Sequence, residues 1–150
     1  MSRTRLLGID YGRVRVGLAV SDPQRRLASP LATYARRDAE QDARYFHEVV
    51  EAEEIGGLVV GLPVHADGNE GPAAAEARQF GQWLYKVTGL PCVFWDERFT
   101  TVEAESVLWD AGLTHKKRKA RRDQLAAQIV LQTYLDAGCP SDPRAGPLQG

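Results

Sequence analysis

The stretch LLGIDYGRVRVGLAVSD, residues 6–22, decides how this chain folds. Leu6, Leu7 and Ile9 make a short apolar run that Asp10 ends, and Gly12 supplies a turn. From Val14 to Val20 apolar side chains recur at every second position, Val14, Val16, Leu18 and Val20 against Arg13, Arg15 and Ala19. A period of two is that of a strand, so the two runs predict strands joined by a tight turn. A third extended piece, LASPLATYAR at 27–36, carries Pro30, whose missing N–H suits a sheet edge or a strand start. Three such runs close together predict an antiparallel meander. Asp10 is then the oddity, a carboxylate closing the first core strand.

After the meander the pattern changes. In DAEQDARYFHEVVEAEEI, residues 38–55, Ala43, Phe46, Val49, Val50 and Ile55 stand at near-helical spacing before Gly56-Gly57. GLVVGLP, 57–63, reads as a fully buried strand. A polar loop, VHADGNEG at 64–71, leads to a helix over about 72–87 with Phe80, Trp83 and Leu84 on its apolar side. LPCVFWDE, 90–97, is another buried strand, and TTVEAESVLWDAG, 100–112, a short helix with Thr100 or Thr101 as cap. HKKRKARR, 115–122, reads as a basic loop before a last helix over about 121–137. Alternating elements after a meander predict a mixed five-stranded α/β sheet, antiparallel at first and then parallel through crossover helices. We expect one domain over 1–137 and a fraying proline- and glycine-rich tail at 138–150.

The composition narrows the function classes. With 43% hydrophobic and 26% charged residues the chain is an ordinary globular domain. Its 19 Lys and Arg against 20 Asp and Glu exclude nucleic-acid binding by overall charge, so any basic surface is local. Cys92 and Cys139 form neither a metal-finger spacing nor a disulfide framework, and Cys92, in an apolar run, reads as a buried thiol. The opening MSRTRLLG is too short in apolar length for a signal peptide, and no segment is long enough to span a bilayer. A cytoplasmic location and no membrane partner are expected. Monomer and homodimer both remain open.

Three carboxylates sit at element ends: Asp10 after strand one, Glu97 (beside Asp96) after the last strand, and Asp123 in the first turn of the last helix. Each alone has a plain structural reading as turn chemistry, solvated strand end or helix-dipole partner. Together, if strands one and five meet near the sheet centre, they would converge and repel unless a cation neutralised them. Oxygen ligands of this kind suit Mg²⁺ or Mn²⁺. Two such ions about 4 Å apart would activate a water and stabilise the leaving oxygen of a phosphodiester.

Four blocks, GIDYGRVRVGLAVSD, VVGLPVHADGNEG, VFWDERFTT and RRDQLAAQIVLQTYLD, in this order over about residues 4–137, resemble the YqgF/RuvX family. The resemblance implies an RNase H-like fold related to Holliday-junction resolvases. It also implies Asp10, Glu97 and Asp123 as acidic active-site and metal positions, and divalent-metal hydrolysis of phosphodiesters in pre-16S rRNA 5′-end maturation. The chain departs from the family pattern at Val16, at Phe99 and at His65, where asparagine is frequent. The first two changes keep apolar character; His65 bears on substrate contact or metal preference near its loop.

Candidate substrate residues follow. Lys116, Lys117, Arg118, Lys119, Arg121 and Arg122 immediately precede Asp123, where cations would hold phosphates with salt-dependent affinity, or else form a solvated loop. Arg13 and Arg15 lie just after Asp10 and Arg98 just after Glu97, and the guanidinium fork suits phosphate oxygens. Arg13 and Arg15 read equally as the exposed face of a hairpin. Thr100 offers a helix N-terminus or only a cap. His65 and Asn69 lie on a loop after a buried strand, a common ligand position in α/β folds, or merely serve turns. Trp83, Trp95 and Trp109 read as core rather than as stacking platforms.

The leading expectation is a metal-dependent nuclease acting on structured or single-stranded RNA. The alternatives are a resolvase of branched DNA and a non-catalytic nucleic-acid-binding module of ribosome or transcription machinery. The Asp-Tyr-Gly turn also resembles that of actin-like ATPases and sugar kinases, but 150 residues leave no room for their second domain.

Overall fold

The computed structural model describes residues 4–97 and 115–140, and for 115–120 the backbone alone. Its elements are β1 (Arg5–Asp10), β2 (Arg15–Ser21), β3 (Ala28–Ala35), α1 (Ala39–Ala52), β4 (Ile55–Leu62), α2 (Pro72–Thr88), β5 (Cys92–Asp96) and α3 (His115–Asp136). The sheet order is β3-β2-β1-β4-β5. β1–β2 and β2–β3 are antiparallel, whereas β1–β4 and β4–β5 are parallel, as the switch in sequence pattern predicts. Pro30 sits on β3, an edge strand, opposite Ala19 at an irregularity in the ladder. The helix expected over 100–112, with Trp109, lies outside the described residues. Among the described residues no helix is long and apolar enough to cross a membrane.

Strand parity divides the core. Leu7, Ile9, Val16, Leu18, Leu58, Val60 and Leu62 face α1 and α2, where Phe46, Val50, Phe80 and Leu84 complete one buried cluster. Trp83 packs on Phe80 and Phe46, so it belongs to this core, as expected. The opposite parity meets α3: Leu6, Ala19, Ala28 and Val59 pack on Ala127, Val130, Leu131, Tyr134 and Leu135. The alternation in β2 suggests one wet face, yet Ala19 is as buried as Leu18. Small residues on that face leave room for a helix rather than for water. Val14, counted in the alternation, lies outside β2 and is exposed.

Three details fix the layers. Asp42, buried in α1, accepts from the Tyr34 hydroxyl at 2.6 Å, the Arg37 backbone N–H at 2.9 Å and Arg36 Nε at 3.4 Å, tying α1 to the end of β3. On the other face Gln132 accepts from the Ala28 N–H through Oε1 at 2.9 Å and donates to the Arg26 carbonyl, and Gln128 donates to the Ala28 carbonyl. Trp95 donates to Thr133 Oγ1 at 2.9 Å, holding β5 to the same helix. Of the expected tail, residues 138–140 turn back on α3, with Tyr134 donating to the Pro140 carbonyl at 2.8 Å. Residues 141–150 lie outside the described residues.

The basic run is the clearest departure from the sequence reading. HKKRKARR forms not a loop but the opening turns of α3, so Asp123 lies more than two turns inside that helix rather than in its first turn. Lys, Arg and Ala are good helix formers, and like-charge repulsion between exposed neighbours costs only tenths of a kcal/mol per pair. The macrodipole reading of Asp123 therefore falls away. What seats the helix is glycine: a Cβ on Gly17 would collide with the Asp123 carbonyl, and one on Gly8 would stand 2.7 Å from Leu131 Cβ. Gly17→Ala is expected to lower stability by about 1–3 kcal/mol in urea denaturation, the usual range for overpacking. A variant as stable as the parent would show that α3 does not rest on β2 there.

Candidate active site

Parity also places the acids. Asp10 follows Leu6 and Gly8 on the α3 face of β1, and Glu97 follows Val93 and Trp95, which pack on the α3 side of β5. β5 is an edge strand, with β4 between it and β1, so strands one and five do not meet as expected. The gap is closed by a missing side chain. Ile9 pairs with Val60, which sets Gly61 beside Asp10, and a Cβ on Gly61 would run into the Glu97 carboxylate. Glu97 therefore lies across β4 and hydrogen-bonds to Asp10.

Asp123 arrives from α3 over Gly17. It stands close enough to raise the pKa of Asp10 by its charge, but its own Oδ2 accepts from Arg15 Nε at 2.8 Å. As the side chains are placed, no three His, Cys, Asp or Glu groups among the described residues close around one point. Two of the expected acids touch, and the third is in electrostatic range and paired with an arginine. Arg15, which reads from sequence equally as a phosphate contact and as hairpin surface, pairs with an expected site acid. Its signal was parity, because Arg15 shares the α3 face with Gly17 and Ala19.

The other expected residues divide. Arg13 forms a two-bond ion pair with Glu76 of α2, Nε to Oε1 at 2.8 Å and Nη2 to Oε2 at 2.6 Å. Arg121 and Arg122 are exposed on α3, just before Asp123. Lys116, Lys117, Arg118 and Lys119 lie on the same helix, where the backbone alone is described. Arg98 and Thr100 fall outside the described residues. His65 and Asn69 shape a tight loop after β4: the His65 N–H donates to the Asn69 carbonyl at 2.9 Å, and the Asn69 amide donates to Asp67 Oδ2 at 3.0 Å. His65 packs against Gly71, where a Cβ would stand 2.6 Å from its Nε2. The structure does not bring either residue into contact with the carboxylates.

Burial is the largest cause pushing the Asp10 pKa up to about 8, followed by the Glu97 charge, the hydrogen bond to Glu97 and the Asp123 charge. Burial also raises Glu97, while the hydrogen bond from Asp10 works the other way. Two buried carboxyl groups in hydrogen-bond contact favour holding one proton between them. That proton and the Arg15 guanidinium supply the positive charge that three clustered carboxylates require. Buried carboxylate oxygens neutralised by a proton fit a hard divalent cation, which would replace it. Because the folded-state pKa lies above the ordinary value, the folded chain holds a proton that the unfolded chain has lost between about pH 4 and about pH 8. In chelator, stability should fall as pH rises through that window and level off above it. Asp10→Asn should flatten the slope and be more stable than the parent at pH 8.5 by more than ~1 kcal/mol, each pKa unit carrying about 1.4 kcal/mol. Parallel stability–pH curves in urea for the two proteins would contradict the shared proton.

The profile of the RuvX family, described as Holliday junction resolvase, matches residues 4–137. Among curated relatives, a candidate pre-16S rRNA nuclease of Rhodopirellula baltica is 46% identical over 133 residues, covering 89% of this chain and 77% of its own. Proteins of the same name from Rhodobacter capsulatus (44% identical, 87% and 82% covered) and an Anaeromyxobacter species (42%, 88% and 96%) are similarly near. Among solved structures, Thermus thermophilus RuvC in complex with a Holliday junction superposes with a TM-score of 0.56 at 15% identity, covering 92% of this chain and 98% of that one. The Fowlpox virus resolvase with its Holliday junction DNA gives 0.54 at 8% identity, covering 91% and 99%. These two likenesses are of fold, and the fold is RNase H-like. The match along nearly the whole described domain, from β1 through α3, makes this chain a member of the RuvX family.

Proposed function

We propose that this chain is a divalent-metal-dependent nuclease that hydrolyses phosphodiester bonds of RNA, in the 5′-end maturation of pre-16S rRNA. The observation that carries the reading is the buried, hydrogen-bonded Asp10–Glu97 pair with Asp123 in charge range. A non-catalytic binding module gains nothing from like charges held together against burial. In this reading Asp10, Glu97 and Asp123 would hold the metal, Mg²⁺ or Mn²⁺, as a two-ion set. When bound, the metal supplies an activated water and charge stabilisation at the leaving oxygen.

The chain's own residues do the rest. Asp10 and Glu97, buried side by side, would be the carboxylates whose protonation a bound cation competes with. Arg15 keeps Asp123 oriented through Nε and leaves its Nη groups for a phosphate oxygen. Arg13, Arg121 and Arg122, with Lys116, Lys117, Arg118 and Lys119 earlier on α3, supply sequence-independent contacts to the strand backbone. Arg98 and Thr100 adjoin Glu97 in the chain and belong to the same group of substrate contacts. His65 and Asn69 act through the shape of their loop. The family's description favours a second reading, cleavage of branched DNA, with the same acids in the same roles.

Purified protein is expected to cleave single-stranded RNA with Mg²⁺ or Mn²⁺, to stop in chelator, and to cleave four-way DNA junctions more slowly. Asp10→Asn should lower the rate by about 100-fold or more while circular dichroism stays unchanged, the scale on which a positioned catalytic carboxylate acts. An Asp10→Asn protein as active as the parent removes the mechanism, and preferential cutting of junctions transfers it to the second reading. Arg15→Ala should reduce kcat about tenfold or more and weaken the salt dependence of binding. Unchanged kinetics would leave Arg15 as an ion-pair partner alone.

A further inference from the structure

Next to Glu97 a cleft of about 410 Å³ opens between the β1–β2 turn and the start of α2. Its walls are mainly apolar, formed by the Tyr11 ring, Pro63, Pro72, Ala73 and Ala77, and the carboxylates Glu76 and Glu97 also border it. Arg13 stands at its mouth with its side chain 77% exposed, held by two bonds to Glu76. Its Nη1 has no partner among the described residues. Tyr11 is equally fixed: its hydroxyl bonds to Glu76, Arg36 Nη1 donates to it at 3.2 Å, and its ring lies 4.9 Å from that of Phe80. One carboxylate, Glu76, therefore orients both the aromatic wall and the cation at the rim.

An apolar slot with a rigid aromatic wall, a guanidinium at its mouth and a reactive carboxylate at one side suits a nucleotide. The base and sugar fill the slot, and the phosphate meets Arg13. A base inside a duplex cannot enter, because its face is stacked and its edge paired. We propose that this cleft is a nucleoside subsite that takes one unpaired nucleotide of the strand being cut. The assignment rests on the nuclease reading and refines it to substrates with an unstacked base beside the scissile phosphate. Glu76, which also lines the cleft, is a positioning residue in this arrangement and acts through Arg13 and Tyr11.

The test is binding in chelator, where no cleavage is needed, by calorimetric titration with adenosine 5′-monophosphate, ribose 5-phosphate and adenosine. Adenosine 5′-monophosphate should bind saturably, and ribose 5-phosphate about tenfold or more weakly, for want of a base. Ala73 is exposed, so Ala73→Trp fills the slot without touching the core, and it should weaken adenosine 5′-monophosphate about tenfold or more. Arg13→Ala should weaken the monophosphate but not adenosine, whereas Glu76→Gln should weaken both, through rim and wall together. Equal affinity for the monophosphate and ribose 5-phosphate, binding undiminished in Ala73→Trp, or no binding at all would each overturn the subsite. A protein that cuts RNA yet fails these titrations loses only the subsite. One that passes them yet cuts nothing loses only the nuclease reading.

Discussion

The close seating of α3 on the sheet is the contact on which the site depends. Gly8 and Gly17 present bare backbone to the helix, and Ala127, Leu131 and the Asp123 carbonyl occupy the space that side chains would take. Ala19, Leu6 and Val59 continue the same surface, and Gln128 and Gln132 secure the helix to the start of β3. A helix held this near brings Asp123 within charge range of Asp10. Held a side chain further out, it would leave Asp123 facing solvent and Arg15 without its partner. The carboxylate geometry is thus a consequence of packing density between layers.

A second glycine device operates within the sheet. Parallel strands β1 and β5 lie on either side of β4, and only a residue without a side chain at position 61 lets Glu97 cross to Asp10. Burial then makes the like charges costly, which is why one proton is retained and why an arginine caps the third acid. The same physics that makes the clustered charges costly is what would favour a multivalent cation beside them. Stability and the proposed activity are opposed at these residues, a common state of affairs where charge is held ready for chemistry.

The β1–β2 turn links the two faces. Arg13 reaches α2 through Glu76 on one side, and Arg15 reaches α3 through Asp123 on the other. Both arginines flank the end of β1 that carries Asp10. A strand of nucleic acid lying over this end of the sheet would meet guanidinium groups on both sides of the carboxylates. Each is held in place by its acid, Arg13 by Glu76 and Arg15 by Asp123.

How far the residues alone reach can be judged element by element. The meander, the helical spacing around Phe46, the buried strands at 55–62 and 92–96 and the change from antiparallel to parallel pairing all follow from local periodicity, because period two and period 3.6 are properties of neighbouring residues. The same local order sets Asp10 at the end of β1 and makes Cys92 and Trp83 core residues. The basic run escaped this reading: charge density suggests a loop, whereas propensity and the continuing helix make it part of α3. Contacts between distant residues were beyond it altogether. That β5 lies at an edge, that Gly61 opens the path from Glu97 to Asp10, that Arg15 binds Asp123 and Glu76 binds Arg13 are facts of long-range packing. Local sequence specifies which face a side chain takes, and only the assembled layers specify what it meets there.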